Sequence, residues 1–337
     1  MMSKIILAHG EGGKLTREFI EEIIFPLFRN EPLKTLTDSA VLGKIKDGKI
    51  AFTTDAYLVS PIFFEGGDIG SLSISGTIND LCMCGASPLA ISFALIVEEG
   101  FEIENLKKIL KSAAVTAKKA GAIIATGDTK VLPKGKGDGV FIATSGVGVI
   151  TKGRNISDDF IEEGDKIIVS GDIGRHGATI AAFRHNLKGK KLSSDCAPLN
   201  AIVDALFESG IKPKALHDPT RGGVATLLNE TAKRTKLGIE IYEEKIPISK
   251  EVSAVCEVLG LDPLYLPCEG RFVGFFKPKD AEKAMLILKN FKSCKNCSII
   301  GQTTKIRNKM FPVLIKTKMG SVRPVDELSG IQLPRIC

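Results

Sequence analysis

The chain has no tryptophan and only three tyrosines among 337 residues. Platforms for stacking nucleic-acid bases are therefore poor. No apolar stretch approaches the ~20 residues that cross a bilayer, so no membrane partner is expected. The opening "MMSKIILAHG" has one lysine and an apolar run too short for a secretory signal. No segment is of low complexity, and no short-period repeat occurs. The lysines are scattered, with no basic run of nucleic-acid length. The formal net charge of +7 thus reads as solvated surface with some attraction for phosphates, and no nucleic acid is expected as a partner. These absences point to the cytoplasm. In that reducing compartment the eight cysteines are expected as thiols, metal ligands or catalysts rather than structural bridges.

What is present is ordinary for a globular chain: 44% hydrophobic and 25% charged residues. The length suggests two domains. "KIKDGKIAFTTDAY" (44–57) predicts a hairpin about Asp47-Gly48. Residues 90–100 read as a buried strand. Ile103, Leu106, Leu110, Ala113 and Ala117 recur at helical spacing over 102–121, with a glycine at the end. Strands follow at 122–130 and 139–150. A polar, irregular stretch covers 151–165, and the domain boundary is placed near 154. Beyond it the alternation repeats. Strands are expected at 166–171, 238–243 and 271–277, and helices at 174–187, 196–209, 222–235, 249–260 and 280–290. Such mixing in both halves indicates two α+β or α/β domains.

The chemistry-bearing motifs are glycine-rich and acidic. "HGEGGK" (9–14) offers backbone N–H groups that can approach a phosphate, although its spacing is not that of a Walker loop. Acids are expected at strand ends: Asp38 in "LTDSAV", Asp55 in "FTTDAY", Asp80 after Asn79 in "GTINDLCMCGA", Asp128 in "ATGDTK", and Asp218 in "HDPTRGG". A lone aspartate there is usually a turn former. Five beside Gly, Thr or Asn point instead to oxygen ligands around Mg²⁺ that also holds nucleotide phosphates. Glu269 in "LPCEGRF" is either a base or a turn residue paired to Arg271, and His9 and His176 are alternative proton acceptors.

"TDSAV", "TTDAY", "GTINDL", "GDTKV", "DPTRGG" and the terminal "LPRIC" together resemble the ATP-binding superfamily of aminoimidazole ribonucleotide synthetase and selenophosphate synthetase. Within it they resemble the hydrogenase-maturation carbamoyl dehydratases, from residue 8 to residue 337. "DPTRGG" is shared across the superfamily, whereas "GDTKV" and "PRIC" are more specific. The resemblance implies an α+β, two-domain PurM-like fold. Residues 1–153 would form the ATP-binding domain, whose strands build an intersubunit β-barrel in a homodimer. Residues 154–329 would form a C-terminal α+β domain, and 330–337 a mobile tail carrying Cys337. It further implies ATP and Mg²⁺ as cofactors. The terminal cysteine would receive a carbamoyl group from the carbamoyltransferase HypF, and ATP-driven dehydration would turn the S-carboxamide into an S-cyanate. The cyano group would pass to iron on a HypC–HypD complex, for [NiFe]-hydrogenase. By matching, Asp38, Asp80 and Asp218 would hold the metal. Gly12, Gly13, Asp55, Asn79, Gly127, Asp128 and Thr129 would contact nucleotide or metal. Cys337, Lys130 and Glu269 would act on the reacting group.

Gly330 can serve as a hinge, and seven residues beyond it span roughly 25 Å at ~3.5 Å each. Pro334 stiffens the tip, and Arg335 can grip an acidic or phosphate group. The CxxC at Cys294 and Cys297 is half a zinc site at most and reads as a packed or oxidisable pair. Cys82 and Cys84 are poorly spaced for one metal. Cys196, Cys256 and Cys268 read as small buried hydrophobes. A selenophosphate synthetase would place a thiol or selenol in "HGEGGK", which has none. A non-enzymatic thiol carrier would not need the acidic constellation.

Overall fold

The computed structural model describes residues 4–10, 14–34, 40, 42, 47–187, 192–308 and 310–328. Gly12, Gly13, Asp38, Cys337 and the rest of the tail lie outside this set. Two sheets organise the chain, one in each half. The first contains β1 (Lys49–Tyr57), β2 (Ser87–Glu98), β3 (Ile123–Leu132) and β4 (Val140–Ile150), in the order β1-β4-β2-β3. The expected hairpin about Asp47-Gly48 has only its second arm, β1, fully among the described residues. β1 pairs with the distant β4, Lys49 opposite Ile150, and residues 44–46 lie outside the described set.

The helix that periodicity missed is α1 (Ile69–Met83). Asp68 starts it, its carboxylate accepting from the N–H groups of Gly70 at 2.8 Å and Ser71 at 3.0 Å. The Ser71 hydroxyl accepts in return from the Asp68 N–H at 3.0 Å. Thirteen of the fifteen residues are buried, so there is no polar face to create a 3.6-residue stripe. α2 (Ile103–Lys119) packs beside it and is amphipathic as read, with Ile103, Leu106, Ile109, Leu110 and Ala113 inward. It supplies the crossover that joins the parallel strands β2 and β3. A Cβ added at Gly70 of α1 would sit 2.2 Å from the Ile109 carbonyl oxygen.

The second half builds β5 (Lys166–Val169), α3 (Arg175–Arg184), α4 (Asn200–Glu208), β6 (Ala215–His217), α5 (Gly223–Thr235), β7 (Gly238–Tyr242), α6 (Lys250–Leu259), β8 (Val273–Phe276), α7 (Pro278–Leu288), β9 (Ser298–Thr304), β10 (Val313–Lys316) and β11 (Val322–Pro324). The strand order is β11-β10-β7-β9-β5-β8-β6. Every expected helix of this half is present: four are shorter than expected, and α7 has the expected length but begins and ends two residues earlier. The halves share a core: Ile74 and Ile78 of α1 belong to one buried cluster with Leu199, Leu206, Phe272 and Leu288. α1 is thus packed between the first sheet and the second half.

Among the described residues the first sheet is open, with β1 and β3 at its edges, and it does not close into a barrel. Its outer face carries Ile50 at 65% and Phe52 at 69% exposure. Among the described residues no helix is long and apolar enough to cross a membrane.

The close approach at Gly70 gives the first expected outcome. Gly70→Ala should lower the unfolding free energy by about 2 kcal/mol or more, since neither helix backbone can give way cheaply. Urea denaturation checks this, and an unchanged midpoint would contradict the packing described.

Candidate active site

Asp55 of β1, Asp80 of α1, Asp218 just after β6, and Glu269 ahead of β8 converge where the two halves face each other. Their electrostatics show the convergence. Burial, and then Asp218, Asp195, Asp55 and Asp80, hold the Glu269 carboxyl well above the usual carboxylate range. Asp218 is pushed up to about 7 by burial and next by Asp80. Asp80 is raised by burial and also by Asp55, although Thr53 and Arg221 pull the other way. The Thr53 hydroxyl donates to Asp80 Oδ2 at 2.7 Å. Glu269 is 3% exposed, and its Oε1 has no hydrogen-bond partner. The expectation of acids at strand ends is corrected for the four that are described: Asp80 is on a helix, Asp55 and Asp128 lie within strands, and Asp218 alone of these follows one. The missed α1 hid that placement.

Glu269 is not the ion-pair partner of Arg271. The Arg271 guanidinium donates to the carbonyls of Asp172 at 3.2 Å and Gly270 at 2.7 Å, and its Nε lies 3.8 Å from Asp195. The Glu269 carboxylate is left aimed at other acids. Sequence reading assigned no role to Asp195, whose "SSDCA" surroundings form no motif. Arg221 was visible in "DPTRGG" but went unassigned, and it is the cation opposing Asp80.

These residues fit a magnesium–nucleotide group. Among the described residues no three His, Cys, Asp or Glu side chains come together as a ready-made metal site. Mg²⁺ does not require one, because it commonly takes one or two carboxylates and completes its shell with water and phosphate oxygens. Strained, under-neutralised carboxylates are what such a cation relieves.

The "GDTK" residues stand apart from the acids. In register, Asp55 faces Thr144, Thr144 faces Phe93, and Phe93 faces Gly127. Three strand steps separate Asp55 from Gly127, about 14 Å. Gly127 is required by that pairing, since an added Cβ would lie 2.3 Å from the Phe93 carbonyl oxygen. Asp128 and Lys130 are exposed and pair at 3.4 Å, while Thr129 is buried. Beside them opens a cavity of about 450 Å³ with an apolar wall of Phe28, Leu33, Phe93, Leu95, Leu110 and Ile124. A purine-sized group fits such a wall.

Asn79 is 1% exposed and turned towards the second half rather than an open cleft. His9 is buried and stacked on Phe19, accepting from the Ile6 N–H at 3.2 Å. His176 is buried, 2.8 Å from the Ser194 hydroxyl and edge-on to Phe64. The seven described cysteines are all free thiols. Cys294 and Cys297 are buried in the shared core, and burial pushes Cys297 up to about 11. They are packed thiols, which makes an oxidisable pair a poor description.

The comparisons with known proteins agree with this architecture. Residues 36–150 match the AIR synthase related protein, N-terminal domain, and 162–310 match its C-terminal domain. The chain therefore belongs to the AIR synthase related proteins, two-domain molecules of the fold just described, and within them to the HypE carbamoyl dehydratase family. It is 45% identical to a putative hydrogenase expression/formation protein of Methanocaldococcus jannaschii, over 99% of this chain and all of that one. It is 42% identical to the carbamoyl dehydratase HypE of Cupriavidus necator, over 99% and 95% of the two chains. A crystal structure of HypE in complex with ATP superposes with a TM-score of 0.94 at 38% identity, covering 98% and 99%. HypE in a HypE–HypF complex gives 0.78 at 43% identity, covering 92% and 99%.

A pH dependence follows from the raised carboxyls. A group whose folded-state pKa exceeds its unfolded value holds a proton the unfolded chain would release. Stability therefore falls as pH rises from the ordinary carboxylate range through about 7. Without nucleotide or metal, Glu269→Gln and Asp218→Asn should each raise the melting temperature by several degrees at pH 8 and change it little at pH 5. Scanning calorimetry at the two pH values checks this, and equal shifts would contradict it.

Proposed function

We propose that this chain is an ATP-dependent carbamoyl dehydratase that converts an S-carboxamide on its own Cys337 to an S-cyanate, source of the cyanide ligands of [NiFe]-hydrogenase iron. The observation that carries the reading is Glu269. A buried carboxylate with an unpartnered oxygen stands against Asp55, Asp80 and Asp218, in a chain whose relatives are named HypE.

Dehydration removes one oxygen and two nitrogen-bound protons from the carboxamide. Mg-ATP, when bound, supplies the phosphoryl group that lets the amide oxygen depart as phosphate. Asp80 and Asp218, with Asp38 by resemblance, would hold the metal, and Asp55 would contact metal or nucleotide. Glu269 would take protons from the nitrogen. Its raised pKa makes it a stronger proton acceptor once ionised, and Arg271 is committed elsewhere. Gly127, Asp128 and Thr129 would meet the nucleotide beside the apolar wall, and Lys130 would orient the carboxamide or neutralise phosphate. Gly12 and Gly13, in the glycine-rich "HGEGGK", would let backbone N–H groups approach a phosphate.

The ~14 Å between "GDTK" and the acids has a natural explanation in a homodimer. The outer face of the first sheet carries Ile50 and Phe52, an apolar surface that a second sheet would cover in an intersubunit barrel. Asp128 and Lys130, exposed at the far edge, could then serve an interface between subunits. HypF is the expected carbamoyl donor, supported by the solved HypE–HypF complex. A HypC–HypD complex is the expected acceptor, and the site of action would be the cytoplasm.

Mass spectrometry of the C-terminal peptide tests the chemistry. The carbamoyl donor should add ~43 Da and ATP should then remove ~18 Da, both on Cys337. Cys337→Ala should abolish both changes while ATP binding persists. The same changes on another cysteine would overturn the proposal. For the assembly, Phe52→Glu should convert a dimer near twice 36.2 kDa to monomer in light scattering. A wild-type chain already monomeric at micromolar concentration would count against the barrel.

A further inference from the structure

Asn79 matches a motif position expected to contact nucleotide, yet every polar atom of its side chain is spent on the second half of the chain. Nδ2 donates to the Ala197 carbonyl at 3.2 Å and to the Glu269 carbonyl at 3.3 Å. Oδ1 accepts from the Leu199 N–H at 2.8 Å. The partners fix the orientation of the amide, since two carbonyls require the NH₂ and an N–H requires the oxygen. At 1% exposure there is no open side for a ligand.

These bonds fall on the main chain of the residue proposed as the base. The Glu269 carbonyl also accepts from the Ala197 N–H at 3.3 Å, and the Glu269 N–H donates to Asp195 Oδ1 at 3.3 Å. Next to it, a Cβ on Gly270 would lie 1.9 Å from the Asp195 carbonyl oxygen. The peptide of Glu269 is therefore held on both sides, against a segment that admits no side chain at 270. The side chain alone is left without a partner at Oε1.

Asn79 is followed on α1 by Asp80, which faces Thr53 and Asp55. We propose that Asn79 is a positioning residue: through its amide, the buried helix that presents the metal-side acid also fixes the backbone of Glu269 across the boundary between the two halves. This inference rests on Glu269 acting as the base. A misplacement of about 1 Å in such a group costs up to roughly a hundredfold in rate. One helix carrying both contacts keeps base and phosphoryl side in register.

The experiment uses the full chain, carbamoylated on Cys337, in single-turnover dehydration with phosphate release as the signal. Asn79→Ala should slow the rate at saturating Mg-ATP by roughly tenfold to a hundredfold while the dissociation constant for Mg-ATP stays within about twofold. Asn79→Ser, which keeps a donor, should lose less. In a Glu269→Asp background, itself slowed, Asn79→Ala should cost far less than in wild type, because the base is already displaced. A folded Asn79→Ala with wild-type rate would overturn the proposal. So would a tenfold loss of Mg-ATP affinity with the saturated rate unchanged, which would mark Asn79 as a nucleotide contact. If neither variant folds by circular dichroism, the residue serves folding and the positioning role is refuted. A Glu269→Gln chain with full activity would defeat the base reading itself, whatever Asn79 does.

Discussion

Carboxylates crowded at a boundary with little opposing charge are unfavourable to fold around. Each of Glu269, Asp218 and Asp80 is raised by burial and by another of the group. Folding accepts this repulsion because the elements that present them are locked by apolar packing elsewhere. Ile74, Ile78, Leu199, Leu206 and Phe272 are buried in one cluster, and at ~25 cal/mol per Å² of apolar area such burial easily outweighs a strained carboxyl. Under the proposed function the acids would be preorganised for a cation and a transferring phosphoryl group, whose binding would remove the repulsion. Stability is traded for that readiness.

α1 is the element through which this trade operates. Asp68 fixes where it begins, and Gly70 sets how near α2 can lie. Those two choices determine how far Asn79 and Asp80 project. A longer side chain at 70 would push the helices apart and carry Asp80 away from Thr53. Local capping chemistry thus reaches the site through a rigid, buried rod of about 22 Å, at ~1.5 Å per residue.

Much of this was legible in the sequence, because α2 and β4 obey simple periodicities and the acidic motifs are compact. Asp55, Asp80, Asp218 and Glu269 lie within electrostatic reach of one another. What was illegible has physical causes. α1 has no polar face, so its residues "IGSLSISGTINDLCM" carry no stripe. One arm of the hairpin signalled by Asp47-Gly48 lies outside the described residues, and the other, β1, pairs along its whole length with β4, a partner far along the chain that no local turn signal announces. Asp195 shows itself only when the 193–199 segment lies against Glu269, a contact between residues 74 apart. Asn79 is hard to read for a different reason. Its motif marks it as important, but a motif does not say whether an amide faces a ligand or a neighbouring backbone.

The thiols complete the argument. Carbamoyl acceptance needs a thiolate that is nucleophilic near neutral pH and can leave again as cyanide departs. Cys82, Cys84, Cys196, Cys256, Cys268, Cys294 and Cys297 are each raised, burial being the first cause in every case. Cys196 makes the point most sharply. It is half-buried rather than buried as expected, and desolvation and then the neighbouring Glu269 charge raise its pKa, where a nucleophile would otherwise seem well placed. A thiol inside the acid cluster is disabled by the same field that readies the site for a cation. Under the proposed chemistry the nucleophile must be charged away from that field and enter it only once the sulfur is acylated and neutral. The eighth cysteine of the sequence is Cys337, the one that the proposed chemistry uses.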